Sequence, residues 1–354
     1  MNDRNIGTCL GGGHHSCDFC DLICPQNLFT AFEEFKRGKT SKIDVGEFQF
    51  NLENNLFQLH DDLKNEVWRP DIYQSFYVRD PKLRHIHKAS TRDRVFNQAV
   101  FRILYPVFDK TFIHDSYSCR LDKGTHKGVL RLEEFARKVT QNYSRPSFAL
   151  KCDVRKFFDN ISHEILFELI KKKVKDEKIL GIINLILKSF ETKSGVGLPL
   201  GNVTSQLFAN VYLNELDQFV KHVLKRKYYL RYCDDFIILS KNREELLDFL
   251  PQLNYFLSHN LKLELHPNKI HLRKISQGVD FLGYVVLPHY KVLRTKTKRR
   301  IYKKVKILKS ELDKGLITQK QLQQKLASYL GILKHCHGNK IRLNIENTLN
   351  LQGI

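Results

Sequence analysis

The sequence predicts an α+β protein in which an antiparallel sheet packs on helices, and three kinds of stretch predict it. Two apolar runs, residues 228–233 and 236–239, flank Asp234 and Asp235 as the arms of a β-hairpin flank its turn. Residues 147–153 alternate as a strand, with Phe148, Leu150 and Cys152 on one face and Lys151 and Asp153 on the other. Around these strands lie segments whose apolar residues recur every three or four positions, the period of helices with one buried side.

The hairpin carries the chemistry. A turn explains one aspartate, because Asp tolerates left-handed φ values. Two adjacent carboxylates at the tip of a buried hairpin repel each other, and a divalent cation such as Mg²⁺ neutralises them. A strand that ends at Asp153 can bring a third carboxylate to that pair. A solvated acidic turn is the alternative reading of the pair alone.

The chain has 354 residues, enough for two or three subdomains. Lys and Arg number 59 against 38 Asp and Glu, a formal charge of +21 that points to a polyanionic partner. Nucleic acid is the first choice and an anionic membrane surface the competitor. No apolar run approaches the roughly 20 residues that span a bilayer, and the N-terminus lacks a signal-peptide core, so the expectation is a cytoplasmic protein with no membrane partner. The eight cysteines are scattered, with Cys152 and Cys233 inside apolar runs, and read as reduced thiols. Cys9, Cys17, Cys20 and Cys24 gather near His14 and His15. The gap between Cys17 and Cys20 lets both thiolates reach one tetrahedral Zn²⁺, with Cys9, His14 or Cys24 completing the shell; without a second Cys-x-x-Cys pair, a flexible arm with free thiols stands beside that reading.

In chain order, helical periods cover residues 27–36 and 47–66, and Arg69-Pro70 ends the second. Residues 73–78 alternate as a strand, and a basic turn leads into a second strand on which Lys82 and Arg84 share a face able to clamp a triphosphate, a merely solvated charged hairpin being the equal alternative. A helix runs from Thr91 through Leu104, and Pro106 is expected to stop it. A cation-rich turn containing Arg120 and Gly124 precedes a helix over 129–139. Ser162 caps another helix, and the glycine-rich stretch 195–206 feeds a long one whose N-terminus suits a base pair or phosphate. Beyond the hairpin the pattern predicts a helix over 243–257, a strand over 261–265 and a strand pair beginning at Phe281. Residues 294–312 are expected to form a helix with Ile301, Val305 and Leu308 on one face and Lys298, Arg299, Lys303 and Lys306 among the cations of the other; a merely solvated face is the alternative, and the whole-chain charge favours one that lies along a phosphate backbone. A last helix is expected over 319–335.

Asp153, Asp234 and Asp235 together make the acidic set that two-metal nucleotidyl transfer requires. At these residues the chain resembles a reverse transcriptase, and the likeness runs in the family's motif order from about Tyr73 to His337. Lys82 and Arg84 match the fingers, and Asp93, Arg94 and Arg120 the next block. Asp153 and Phe158 match the first catalytic motif, Gly197-Leu-Pro-Leu-Gly201 the template-contacting motif, and Tyr232-Cys-Asp-Asp235 the second catalytic motif. Lys269 matches the block that follows, and Phe281-Leu282-Gly283-Tyr284 the primer grip.

The resemblance implies a right-hand polymerase. An N-terminal arm would occupy residues 1–26, fingers and N-terminal helices 27–146, a palm 147–288 with finger contributions around 171–200, and a short helical thumb 289–354. It implies an RNA-directed DNA polymerase with Asp153, Asp234 and Asp235 as catalytic residues, and two Mg²⁺ held by them and by Val154. Nucleotide contacts would come from Lys82, Arg84, Phe158, Leu200, Gly201, Gln206 and Lys269. Strand contacts would come from the primer grip, Arg94, Arg120, Lys298, Arg299, Lys303 and Lys306. The implied partners are template RNA, a primer or cDNA strand and dNTPs.

One block departs from the family majority. Retroviral and group II intron enzymes carry Pro-Gln-Gly followed by Ser-Pro, whereas this chain reads Pro199-Leu200-Gly201 and Ser205-Gln206. That substitution resembles the reverse transcriptases of diversity-generating retroelements, which implies a bacterial or phage enzyme. It would be error-prone at template adenines and would work with a small basic accessory protein. The short stretch after the thumb-like helices is taken to leave no room for RNase H, integrase or endonuclease domains. Defence-associated and intron-like reverse transcriptases are alternatives, as is a non-catalytic RNA-binding scaffold.

Overall fold

The structure, a computed structural model, describes residues 18–79 and 83–349. It is α+β, as the periodicities predict, with antiparallel strand pairs throughout.

Local chemistry sets most boundaries. The Asp18 carboxylate accepts from the Cys20 N–H and caps α1 (Phe19–Ile23), and Pro25 opens α2 (Pro25–Phe35) where its missing N–H costs nothing. The helix expected over 47–66 is two, α3 (Ile43–Phe50) and α4 (Leu52–Lys64), because Asn51 sits between them at φ −113° and ψ 40°. β1 (Gln74–Val78) pairs with β2 (Arg84–Lys88), Val78 opposite Arg84. Ser90 caps α5 (Thr91–Asp109), and α6 (Thr125–Val139) precedes β3 (Phe148–Asp153). Ser162 caps α7 (His163–Lys171) and Asp176 caps α8 (Glu177–Lys188). α9 (Val203–Gln218) continues into a π-helical turn over Phe219–Val223. Next come β4 (Tyr229–Tyr232), β5 (Asp235–Ser240), α10 (Arg243–Leu261), β6 (His271–Lys274), β7 (Val279–Phe281), β8 (Tyr284–Leu287) and β9 (Tyr290–Leu293). Three helices close the described chain: α11 (Thr295–Asp313), α12 (Gln319–Leu333) with a Thr318/Gln321 capping box, and α13 (Asn339–Leu349).

The chain divides into two compact units. Of the described residues, the first comprises 18–79, 83–114, 154–225 and 252–266. Here α5 packs on α2 and α9, α7 packs on α8 and α9, and Thr204 Oγ1 donates to Asn97 Oδ1 at 2.9 Å between α9 and α5. The second comprises residues 115–153, 226–251 and 267–349. Its four-stranded sheet has the order β4-β5-β3-β6, with a separate three-stranded sheet β7-β8-β9. α6 packs on β4, β5 and β8, and its Leu132, Phe135 and Ala136 join a core that also holds Ile237 of β5 and Ile301, Val305 and Leu308 of α11.

Three local expectations need correction. Pro106 lies inside α5, which runs on to Asp109. Leu104, Tyr105 and Phe108 are buried there, and their packing outweighs the backbone hydrogen bond that proline removes. Residues 261–265 form no strand. Lys262 takes φ +50° where α10 ends, and the buried Leu263 and Leu265 keep the alternation with a single bridge, Leu265 to Val154. The central hairpin's turn holds Cys233 and Asp234, whereas Asp235 is the first residue of β5.

Candidate active site

The Tyr232–Asp235 pair closes a two-residue loop, and the left-handed residue in it is Cys233, at φ +55°. An L residue adopts that conformation at a cost, so the loop must be held from elsewhere. Arg231, with no exposed surface, holds it: its Nη1 donates to the Cys233 carbonyl at 3.0 Å. The Arg231 backbone is fixed on both sides by the 115–117 segment, its N–H donating to the Asp115 carbonyl and its carbonyl accepting from Tyr117, each at 2.9 Å.

β5 lies between β4 and β3, so Asp235 is opposite Tyr232 on one side and Asp153 on the other. Directly opposed residues point to the same face of a sheet, which brings the last carboxylate of β3 beside the first of β5, with Asp234 in the adjoining loop. Two ammonium groups meet this cluster. Lys151 Nζ lies 3.0 Å from Asp235 Oδ2 and also donates to the Asp280 carbonyl at 2.9 Å, while Lys269 Nζ lies 2.5 Å from Asp153 Oδ1. Lys151 is two residues before Asp153 and shares its face by the strand period.

The carboxylates are costly as anions. Burial, with the Asp153 charge adding to it, pushes Asp234 above the ordinary carboxyl range, and burial pushes Asp235 up to about 6 against the opposing pull of Lys151. Burial likewise raises the Cys152 thiol to about 12 and the Cys233 thiol further, so neither is a nucleophile near neutral pH. Asp235 Oδ1 is buried with no hydrogen-bond partner among the described residues. Among the described residues no three His, Cys, Asp or Glu side chains are placed to hold one ion. The donor chemistry nevertheless fits a hard divalent cation: carboxylate oxygens only, three negative charges against two positive, and an orphaned oxygen.

The residues expected to form a primer grip make a second tight loop in the same unit. Phe281 pairs with Tyr284 across Leu282 and Gly283, both at positive φ (+50° and +90°), the I′ geometry of a two-residue hairpin. Arg294 donates its N–H to the Gly283 carbonyl at 2.9 Å. On α11, Lys298, Arg299, Lys303 and Lys306 are exposed while Ile301, Val305 and Leu308 are buried, the two faces that the pattern predicts. Arg120 Nη1 donates to the Ser116 carbonyl at 3.1 Å.

The other expected residues that the structure describes belong to the first unit. Lys82, Cys9, His14 and Cys17 lie outside the described residues; Cys20 is exposed and Cys24 half-buried. Arg84 is exposed at the start of β2. Phe158 is half-buried, and its carbonyl accepts from the Leu198 N–H at 2.8 Å; the Leu200 carbonyl accepts from His87 of β2 at 3.3 Å. Gly201 sits at φ +127° with Ile86 and the His87 carbonyl 3.6 Å from where a Cβ would be, so side chains are disfavoured there by conformation more than by space. Gln206 is exposed on the first turn of α9. Val154 is buried. Arg94 bonds Asp44 and Thr91 Oγ1 and lies over the Phe35 ring, a structural tie within its unit.

Sequence reasoning missed Lys151 and Arg231. Their signals are present: Lys151 shares a strand face with Asp153, and Arg231 interrupts an apolar run.

A family model described as reverse transcriptase (RNA-dependent DNA polymerase) matches residues 79–286. The group II intron-encoded protein LtrA of Lactococcus lactis subsp. cremoris is 24% identical, over 87% of this chain and 62% of its own length, so this chain spans less than two thirds of that relative. Protein YkfC of Escherichia coli (strain K12) is 22% identical over 67% of this chain and 72% of its own. A solved structure of apo telomerase from Candida tropicalis, truncated from its C-terminal domain, aligns with TM-score 0.46 and 14% identity over 63% of this chain and 54% of that one. With its carboxylate strand pair and hairpin inside the matched segment, the chain belongs to the reverse transcriptase (RNA-dependent DNA polymerase) family.

Proposed function

We propose that this chain is an RNA-directed DNA polymerase of the right-hand type, extending a primer on template RNA from dNTPs. The observation that carries the proposal is the opposition of Asp153 and Asp235 on adjoining strands with Asp234 in the loop between β4 and β5. Asp153, Asp234 and Asp235 would hold the Mg²⁺ ions. When bound, the ions lower the pKa of the primer 3′-hydroxyl and stabilise the departing pyrophosphate. The chain's own part is to keep these carboxylates ionised and aimed: Lys151 and Lys269 compensate their charge, and Arg231 braces the loop that carries Asp234. The exposed cations of α11 suit the phosphate backbone of the product duplex, and residues 281–284 suit the primer strand. Primer extension on an RNA template with dNTPs and Mg²⁺ tests the reading. No incorporation by the wild type, with RNA binding retained, would replace it with a non-catalytic scaffold.

Leu200, Ser205 and Gln206 support a finer reading, an error-prone enzyme of a diversity-generating retroelement assisted by a small basic accessory protein. The similarity to LtrA favours an intron-like enzyme as the second reading. The DNA flanking the gene distinguishes them: a template and variable repeat pair marks the first, intron sequence the second. Among the described residues no helix is long and apolar enough to cross a membrane, which is compatible with the expected cytoplasmic location.

A further inference from the structure

The second unit holds a cleft of about 440 Å³, lined by α6, the β8–β9 turn and the segment joining α12 to α13. We propose that this cleft binds a phosphorylated nucleotide unit, its phosphate on the imidazoles of His126 and His335 and the Lys334 ammonium, and its base against Tyr290. The inference rests on the polymerase reading only for the expectation that the nucleotide belongs to a bound strand.

The volume suits a small ligand with one ring system. His126 and His335 stack with ring centroids 3.7 Å apart. Tyr284 donates its hydroxyl to the Ile332 carbonyl at 3.2 Å and lies 3.4 Å from His126 Nδ1, so that contact requires His126 to donate through Nδ1 and leaves Nε2 for a ligand. Glu133, the one acid among the described residues that line the cleft, is already paired with Lys291 at 2.7 Å, and Lys334 is exposed, so the uncompensated charge of that lining is positive. His337 packs edge-on against Tyr290 at 5.5 Å and leaves the tyrosine braced as a stacking surface, with His289 on the same turn.

A metal ion suits the cleft less well. Among the described residues no trio of ligating side chains converges, and the Cys336 thiol, raised by burial, donates to the Leu333 carbonyl at 3.7 Å. Burial and the neighbouring His335 hold His126 below the ordinary imidazole range, so that ring favours its neutral state without a ligand. An anion reverses that preference. Bound phosphate raises the imidazole pKa values, so affinity is gained at low pH and lost as pH rises through the bound-state pKa.

The test follows the two rings directly in the full chain labelled with ¹³C at histidine Cε1, assigned by His126→Gln and His335→Gln. Titration from pH 5 to 8.5 is repeated with a single-stranded 12-mer DNA, with dAMP, with inorganic phosphate, and with a 12-mer of neutral methylphosphonate linkages. The expected result is a rise of about one unit in both ring pKa values with the charged oligonucleotide and none with the neutral one. Saturation at micromolar oligonucleotide but not micromolar dAMP or phosphate identifies a strand as the source; equal response to dAMP identifies a free nucleotide. Lys334→Met, a surface change that leaves both rings in place, should weaken the oligonucleotide response at least threefold. No shift with any phosphate compound, an equal shift with the neutral oligonucleotide, or an unchanged response in Lys334→Met would overturn the proposal. Because no polymerisation is read, these outcomes are independent of whether the carboxylate site is active.

Discussion

Lys151 Nζ lies 3.0 Å from Asp235 Oδ2 and holds that carboxylate from one side, while its other oxygen has no hydrogen-bond partner among the described residues. The arrangement is half neutralised, and its stability therefore depends on pH. Asp235 has a folded-state pKa of about 6, above the roughly 4 of an exposed carboxyl, so the folded chain keeps the proton longer than the unfolded one. Metal-free protein should be most stable with respect to this group below pH ~4 and lose up to roughly 3 kcal/mol as pH rises through 6. Thermal melts in EDTA check it by comparing wild type with Asp235→Asn, in which Lys151 retains the Asp280 carbonyl. The variant should be the more stable above pH 6, the gap closing toward pH 4, and added Mg²⁺ should stabilise only the wild type. A constant gap would remove the burial argument.

Asp234→Asn separates chemistry from folding. It removes a charge that burial and Asp153 both disfavour, so the metal-free variant should melt no lower than wild type. Incorporation of dNTPs should fall by roughly two or more orders of magnitude, since charge stabilisation in the transition state is lost. Near-normal primer extension would reassign the metal site.

Gly278 tests the packing that supports the two-residue loop between β7 and β8. It sits at φ +87°, and a Cβ would lie 2.7 Å from Val285 Cγ1 on the neighbouring strand β8. Gly278→Ala should cost roughly 2 kcal/mol or more through strain and overlap, read as a lowered urea midpoint at unchanged m-value.

The reading of Leu200 is tested by fidelity. In the majority pattern a Gln at this position can hydrogen-bond near the templating nucleotide, whereas Leu offers only shape, a difference on the order of 1 kcal/mol. Sequencing cDNA from a defined RNA template should show errors concentrated opposite adenine, and Leu200→Gln should reduce them with activity retained. Equal error at all four template bases would remove the retroelement subtype and leave the polymerase reading standing.

For Phe158, the expectation is a ring beneath the incoming sugar. The residue is half-buried, so Phe158→Ala should cost less than the roughly 3–5 kcal/mol of a fully buried phenylalanine, and ribonucleotide incorporation should rise. Unchanged sugar discrimination in a folded variant would assign the ring to packing alone.

The aspartates were legible because period-two alternation places Asp153 at a strand end and a hairpin pattern brackets Asp234 and Asp235. Which residue would take the strained φ was not legible: turn propensity favours Asp, but the register closes on Tyr232 and Asp235 and assigns the left-handed position to Cys233. Arg231 escaped notice because the backbone that fixes it, at Asp115 and Tyr117, is more than a hundred residues away in sequence. Pro106 misled because a proline's local cost is visible in a sequence and the burial of Leu104 and Phe108 is not.

The two-residue loop between β4 and β5 also restricts how this gene can vary. Strands on both sides fix the register of β5, and side chains alternate faces along it, so inserting or deleting one codon at Cys233–Asp234 cannot be absorbed as slack. It would move Ile237 and its neighbours to the opposite face of β5, which is buried as well and packed around other side chains, or displace Asp235 from Asp153. The segment just beyond the strand, at Lys241 and Asn242, leads into α10 without a ladder partner. Length variation among natural homologues should therefore be absent from the first position and tolerated at the second.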